Sequence, residues 1–316
     1  MDAAGREATS TDAAAKDRGD QGRGDRPPEA QDATGGAVAR TERVIRVFPR
    51  RTKATPDDDL VYIGEPDLFA EADRVEVSVA FSWDLPKAER LAEAWRRVAP
   101  VTLGGPALQP PPAPFEPGRY LKLGYTITSR GCPNRCPFCL AWRHGGPHEL
   151  PIRPGWIVQD DNLLACSEGH IRRVFEMLAA QPRPAVFSGG LEAARLADWH
   201  VDLLATLRPR PSIFLAYDTP AELPPLIDAA RRLWAAGFTP ASHRIRCYVL
   251  IGYADDTPRE ADRRLRDVAR LGLTPCAMLY RPPGPAPPPS ADWRALQRRW
   301  MRPAIIHARR SEAKPA

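Results

Sequence analysis

Short apolar runs rich in β-branched residues alternate along this chain with segments in which apolar residues recur every three or four positions. From Arg43 onward the runs RVIRVFPR, DLVYIGE and RVEVSVAF are typical of strands, and a helical spacing follows over residues 86–99. The run VTLGG then indicates a buried strand that ends at Gly104 and Gly105. This succession of strand, helix and strand predicts a small α/β domain with parallel strands over residues 43–116.

A second alternation begins at Tyr120 and contains six strand-like runs, which are YLKLGYTITSR, GWIVQ, AVFSGG, SIFLAYD, RIRCYVLIGY and TPCAMLYRP. Thr219 and Thr257 are each followed directly by Pro and, at the third position after the Thr, by Glu. This is the pattern of a capping box at the start of a helix. Six β/α steps are too few for a closed eightfold barrel. We therefore expect an α/β fold with a partial (β/α)6 TIM-like barrel over residues 117–283, with ligands at the carboxyl ends of its strands.

Composition marks the remaining boundaries. Residues 1–42 contain few large apolar side chains and predict a disordered tail, while the proline-rich stretch 105–118 indicates a linker. Residues 284–316 combine a second proline-rich segment with a predicted C-terminal helix. No run approaches the ~18 apolar residues that cross a bilayer, and no signal peptide is recognised. We therefore expect a cytoplasmic protein without a membrane partner.

Charge and cysteine content narrow the chemistry. The formal net charge of +6 allows a nucleic-acid partner, although no dense basic run requires one. Three of the six cysteines fall within SRGCPNRCPFC, whereas Cys166, Cys247 and Cys276 are scattered and are predicted to fill the core. A secreted disulfide scaffold would be smaller and denser in cysteine, so the cluster favours metal binding or redox chemistry in a reducing compartment.

The clustered cysteines have the spacing Cys132-x3-Cys136-x2-Cys139. Three thiolates on one short loop are able to ligate three irons of a cubane cluster, which leaves the fourth iron open to a small molecule. A zinc site with His144 or His148 as the fourth ligand is the alternative. The position of the loop after the first predicted barrel strand favours an active site, because such sites lie at the carboxyl ends of barrel strands.

With Phe138 before the last cysteine and six β/α steps after it, this loop resembles that of the radical S-adenosylmethionine (SAM) superfamily. The resemblance implies a [4Fe–4S] cluster on Cys132, Cys136 and Cys139, with the amino and carboxylate groups of SAM on the fourth iron and Phe138 beside the cofactors. One electron would cleave SAM to methionine and a 5′-deoxyadenosyl radical, which abstracts hydrogen from the substrate. An external electron donor of the flavodoxin or ferredoxin type is also implied.

The later strand ends resemble the subgroup often fused to cobalamin-binding domains, and more loosely the methylthiotransferases. By position, this resemblance implies further cofactor-binding residues, which are Asp160, Asp161, Asn162, Ser188, Gly189, Gly190, Asp218 and Gly252. The residues themselves leave structural alternatives open. The Asp160 to Asn162 run also suits the entry turn of a helix, the glycine pair suits a tight β/α turn, and Asp218 suits a turn before Thr219.

The N-terminal domain resembles a degenerate, Rossmann-like cobalamin-binding domain. Ser78, Gly104 and Gly105 fall where that family has its Ser and its Gly pair, but no histidine precedes His144 to bind cobalt. We therefore do not expect cobalamin as a cofactor. The resemblance predicts a radical SAM enzyme whose substrate is unknown. The alternative is a non-catalytic iron–sulfur or zinc-binding module associated with nucleic acid.

Overall fold

The computed structural model describes residues 42–284 and 287–301, and these form a mixed α/β structure built on two parallel sheets. The tail predicted over residues 1–42 therefore lies outside the described residues except for Glu42, and the chain from residue 302 onward also lies outside them. No helix in the described part is long and apolar enough to cross a membrane.

The first sheet, here called the small sheet, has four parallel strands in the order β2–β1–β3–β4. Its elements are β1 (Val44–Phe48), β2 (Val61–Ile63), β3 (Arg74–Ser78), α1 (Leu85–Trp95) and β4 (Val101–Gly104). Helix α1 packs Leu91 and Trp95 against Ile45, Val47 and Val77. The helix ends earlier than residue 99, as expected where Pro100 disfavours the helical conformation of the residue before it.

Eight strands follow in the rest of the chain. They are β5 (Tyr125–Thr126), β6 (Ser129–Arg130), β7 (His148–Glu149), β8 (Ile157–Val158), β9 (Val186–Phe187), β10 (Ser212–Ala216), β11 (Ile245–Ile251) and β12 (Thr274–Leu279). Strands β6 and β7 form an antiparallel pair, and the other six form a parallel sheet in the order β5–β8–β9–β10–β11–β12. Strands β5 and β12 are its two unpaired edges, so the described residues form no closed barrel.

Five helices accompany the six-stranded sheet, namely α2 (Glu168–Ala179), α3 (Asp198–Thr206), α4 (Leu223–Ala235), α5 (Pro258–Arg270) and α6 (Ala291–Trp300). Their apolar residues share one core with alternate strand residues such as Leu215 and Val249. The predicted start of α5 is confirmed, because the Thr257 hydroxyl accepts from the N–H of Glu260. Parallel strands joined by helices confirm the predicted α/β fold.

The scattered cysteines differ in their surroundings. Cys247 is fully buried in the core of the six-stranded sheet, and Cys166 packs against that core. Cys276 is half-buried and lies outside the core, so the prediction that it fills the core is wrong. Side chains alternate between the two faces of a strand, and Cys276 takes the face opposite to that of the core residue Ala277.

Candidate functional site

The cysteine loop, residues 132–139, lies beside the carboxyl ends of several strands of the six-stranded sheet. The ring of Phe138 packs edge-on against Tyr253, which follows β11, with ring centroids 5.5 Å apart. Tyr253 in turn packs edge-on against Tyr280, which follows β12, at 4.8 Å. Asn162, which follows β8, donates from Nδ2 to the Sγ of Cys132 at 3.4 Å. The ends of three separate strands therefore meet at or near this loop.

Backbone contacts fix the base of the loop. The N–H of Cys132 donates to the carbonyl of Gly145, and that of Cys139 donates to the carbonyl of Cys136, both at 3.1 Å. Gly131 has a φ of 91°, and a Cβ there would lie 2.4 Å from the carbonyl oxygen of Gly146, so only glycine fits. The loop is thus held by its own turn and by the segment around Gly145.

Asp161 anchors the entry to the loop. Its carboxylate accepts from the N–H of Gly131 at 2.8 Å and pairs with Arg130 at 3.1 Å. This contact ties the start of the cysteine loop to the end of β8. The structure thus gives Asp161 a positioning role, and its predicted contact with a cofactor stays a prediction.

The three thiols are half-buried and form no disulfide. Burial, followed by the influence of Cys139 and Glu222, raises the pKa of Cys136 to about 11, and burial also raises the pKa of Cys139. Neutral thiols are therefore favoured without a cation, and a bound metal would favour the thiolates that ligate it. Within residues 42–284 and 287–301, no three His, Cys, Asp or Glu side chains converge as ligands of one metal ion would.

The histidines of the zinc alternative lie on the segment after the cysteine loop. The Nε2 atom of His148 is 2.6 Å from the carbonyl oxygen of His144. One ring nitrogen of His148 is therefore engaged in a hydrogen bond with the backbone. The zinc alternative stays a prediction that the structure does not test.

Asp160 is held by Thr128 and Ser129, which precede the cysteine loop in the chain. Its carboxylate accepts from the N–H of Thr128 at 2.6 Å, from the hydroxyl of Thr128 at 2.5 Å and from the hydroxyl of Ser129 at 2.9 Å. Asp160 is 2% exposed. Burial raises the pKa of its carboxyl, and the hydrogen bonds from Thr128 and Ser129, which act to lower the pKa, do not outweigh burial. Both oxygens are therefore engaged within the protein, which accounts for this carboxylate without a cofactor.

Asn162 is the predicted site residue that reaches the cysteines directly. Its Nδ2 also donates to Glu192 at 2.7 Å, and Glu192 pairs with Arg195. Its Oδ1 is buried and has no hydrogen-bond partner. A buried acceptor without a donor is rare, so this atom is available to a donor on a bound molecule beside Cys132.

The glycine pair after β9 is explained by strand packing. A Cβ on Gly189 would lie 2.2 Å from the carbonyl oxygen of Asp160, and Gly190 has a φ of 94°. Ser188 accepts from Gln159 at 3.4 Å and donates to the carbonyl of Val158 at 3.2 Å. The tight turn therefore accounts for both glycines, and the predicted contact with a cofactor stays a prediction.

Asp218 and Glu222 place negative charge at the end of β10. Asp218 Oδ1 accepts from the N–H of Leu250 at 2.8 Å, and the Glu222 carboxylate accepts from the N–H groups of Asp218 and Thr219. Burial, followed by the charge of Glu222, raises the pKa of Asp218 to about 6. Both carboxyls also act on the pKa of Cys136, so the end of β10 lies near the cysteine loop.

Gly252 belongs to the turn that follows β11. Its φ is 76°, and its N–H donates to Asp256 at 2.9 Å. Asp256 also pairs with the buried Arg264 at 2.8 Å, and Arg264 donates to the carbonyl of Leu250. This turn places Tyr253, a residue that the sequence did not predict for the site, against Phe138.

Comparisons with protein-family models, with curated proteins and with solved structures found no match for this chain.

Proposed function

We propose that this protein is a radical SAM enzyme that holds a [4Fe–4S] cluster on Cys132, Cys136 and Cys139 and acts on a substrate still to be identified. The observation that carries the proposal is the position of the cysteine loop, where Asn162 contacts Cys132 and Phe138 packs against Tyr253. Catalytic loops of parallel β/α folds occupy this end of the sheet.

The strand order supports a partial (β/α)6 barrel in this proposal. The six parallel strands follow one another in chain order. An α-helix lies in each connection except that from β5 to β8, which contains the cysteine loop, and these helices share a core with one face of the sheet. Successive right-handed β/α steps place helices on the outer face of a curved sheet. The other face would then surround a cleft that opens at the cysteine loop.

The residues present fit the implied group. Three thiols on one loop provide one ligand for each of three irons, and a cubane separates its thiolates more widely than a single ion separates its ligands. The unpartnered Oδ1 of Asn162 is an acceptor suited to the ammonium group of SAM. When bound, a reduced [4Fe–4S] cluster supplies the electron that cleaves SAM to methionine and a 5′-deoxyadenosyl radical.

In this proposal, the protein's own residues bind the cluster, orient SAM and shield the site from water. Asn162 Nδ2 donates to the sulfur of Cys132, and such a hydrogen bond stabilises negative charge on a thiolate. Phe138, Tyr253 and Tyr280 form a continuous edge-on aromatic series that limits the access of water from that side. The proposal requires an external electron donor of the flavodoxin or ferredoxin type and a reducing compartment such as the cytoplasm, and it does not include cobalamin.

The test is made on protein purified without oxygen and reconstituted with iron and sulfide. With dithionite and SAM, the wild type is expected to show the electron paramagnetic resonance signal of a reduced [4Fe–4S] cluster and to release 5′-deoxyadenosine. The triple variant Cys132→Ala/Cys136→Ala/Cys139→Ala is expected to do neither. The variant Cys166→Ala, which removes a cysteine outside the loop, is the control and should behave as the wild type.

Two outcomes would overturn the proposal. One bound zinc and no cluster would favour the zinc alternative. A cluster that never cleaves SAM, combined with salt-sensitive binding to RNA or DNA, would favour the non-catalytic module associated with nucleic acid.

A further inference from the structure

The six-stranded sheet has one face that the helices do not cover, here called the open face. Along β11, Ile245, Cys247, Val249 and Ile251 belong to the helix-covered core, and the alternate residues do not. The open face instead carries Val186, Phe214, Tyr248, Leu250 and Met278. Of these, Met278 is 47% exposed, Val186, Tyr248 and Leu250 are half-buried, and Phe214 is buried. Parallel sheets ordinarily carry helices on both faces, so an apolar face without a covering helix among the described residues is suited to a ligand.

Arg246 is the one charged side chain that the described strands place on the open face. It is exposed and makes no hydrogen bond or ion pair with another described residue. Its guanidinium lies 5.4 Å from the ring centroid of Phe214, which stacks on Tyr248 at 4.8 Å. Tyr248 is fixed in turn, because its hydroxyl donates to the carbonyl of Ser188 at 3.1 Å.

The position of Arg246 sets the length of the ligand that would reach both it and the cysteine loop. Arg246 is the second residue of β11, whereas the cysteine loop lies beyond the other end of that strand. Leu250 lies four positions after Arg246, which corresponds to about 13 Å along a parallel strand. The open face thus runs as an apolar and aromatic strip from a cation at one end to the cysteine loop at the other.

The charge on the ligand follows from desolvation. An apolar body that covers this strip would remove Arg246 from water, and a desolvated guanidinium without a partner is strongly unfavourable. A carboxylate or phosphate provides the matching acceptors, because its oxygens accept the two parallel N–H groups of the guanidinium fork. A neutral ligand of the same shape would leave that cost uncompensated.

We propose that the open face binds an elongated substrate with an apolar or aromatic body, whose anionic group is held by Arg246 and whose other end points toward the cysteine loop. The proposal rests on the proposed function only in treating the ligand as the substrate. The binding site itself depends on Arg246, Phe214 and Tyr248.

The test uses the full-length chain without added SAM and two fluorescent probes that differ only at one end, pyrenebutyrate and pyrenebutanol. The wild type is expected to bind the carboxylate about tenfold more tightly than the alcohol, as charge-assisted hydrogen bonds allow. Arg246→Met is expected to lose this preference and to retain its affinity for the alcohol. Arg263→Met, an exposed arginine of α5 on the helix-covered side of the sheet, is the matched control and should keep the preference.

Equal preference for the carboxylate in the wild type and in Arg246→Met would overturn the inference. Failure of the wild type to bind either probe would also overturn it, because the open face would then be closed to ligands. Arg246→Lys, which keeps the charge without the fork, should retain part of the preference, and unchanged circular dichroism would show that each variant is folded. SAM cleavage without the probe preference would reject this inference alone, whereas the probe preference without a cluster would reject the proposed function alone.

Discussion

The small sheet and the six-stranded sheet each have helices packed against one face, but the two sheets differ in what contacts the opposite face. On the small sheet, Glu76 of β3 accepts from Arg119 at 2.6 Å and from the Tyr120 hydroxyl at 2.7 Å. Arg46 of β1 donates to the carbonyls of Gly118 and Arg119. The connecting segment therefore closes this face with ion pairs and hydrogen bonds, whereas the open face of the six-stranded sheet presents a single arginine without such a partner.

The same contrast is found in the carboxyl groups of the two sheets. Burial acts to raise the pKa of Glu76, but hydrogen bonds from Arg119 and Tyr120 outweigh it, so the pKa is lowered. At the end of β10, burial and the charge of Glu222 raise the pKa of Asp218 to about 6. The small sheet thus satisfies its buried charge internally, which is typical of a structural element. At the end of β10, the N–H of Leu250 and the charge of Arg264 do not outweigh burial and Glu222, so Asp218 keeps a raised pKa near the proposed site, which is typical of functional positions.

The largest effect is expected from Glu76→Gln, which breaks the closure of the small sheet. The free energy of unfolding should fall by about 2 kcal/mol at pH 7, because Arg119, whose side chain is only one-third exposed, loses its buried ionic partner and keeps only the exposed Glu116. Since the pKa of Glu76 is lowered on folding, its contribution is present above the ordinary Glu pKa and is lost as the pH falls through the lowered value. Urea denaturation at pH 7 measures the loss of stability in Glu76→Gln, and the same experiment at acid pH measures how far the contribution of Glu76 disappears.

The matched control for Glu76→Gln is Asp57→Asn, which removes the exposed partner of Lys122. It should change the urea midpoint much less than Glu76→Gln does. Equal losses in the two variants would mean that burial of Glu76 adds nothing, and the contrast between the two sheets would fail.

A smaller effect, with a defined pH dependence, is expected from Asp218→Asn. Because the pKa of Asp218 is raised to about 6, the folded protein binds more protons than the unfolded chain between about pH 4 and pH 6. Its contribution to stability therefore falls as the pH rises through that window. Asn removes this dependence, so the variant should gain about 1–2 kcal/mol relative to the wild type between pH 4 and pH 7.

Thermal denaturation of iron-free protein across this pH range tests the Asp218 prediction. Asp255→Asn, at an exposed position of the turn after β11, should reproduce the wild-type profile. A pH profile of Asp218→Asn that parallels the wild type would show that Asp218 is solvated like an ordinary carboxyl.

The smallest effect is expected for Arg246→Met, whose free energy of unfolding should stay within about 0.5 kcal/mol of the wild type. No described residue depends on Arg246 for a hydrogen bond, and Met retains an apolar contact with Phe214. Arg264→Met, which removes the partner of Asp256, should be clearly destabilised in the same urea experiment. A large loss for Arg246→Met would give Arg246 a structural role and would make the two sheets alike.

Local signals along the chain were sufficient to predict the elements and their succession. Thr257 and Gly272 bracket α5 as expected, because capping and the positive φ of glycine act within one turn of helix. Strand lengths were not predicted as well, and β5, β8 and β9 are each two residues long within longer apolar runs. The length of a strand depends on the hydrogen bonds of its neighbours, which a single run of residues does not contain.

The cysteine loop could be predicted from spacing alone, because its three candidate ligands lie close together along one short segment. The contacts that the other predicted site residues make could not be predicted from spacing. The strand-end sequence treats Asp160 and Asn162 alike, yet Asp160 is engaged by Thr128 and Ser129, and Asn162 reaches Cys132. Residues some thirty positions apart decide this difference, so only the tertiary structure fixed it.

The sequence by itself determined the α/β fold class, the order of strands and helices, and the candidate ligands of a cluster, since each depends on nearby residues. The tertiary structure decided which face of each sheet is covered and which polar groups are left without partners. Arg46 and Arg246 have the same side chain and similar strand neighbours in sequence, yet one is held by a packed segment and the other lies on the open face. That difference depends on what packs above the strand, and packing brings together parts of the chain that are far apart in sequence.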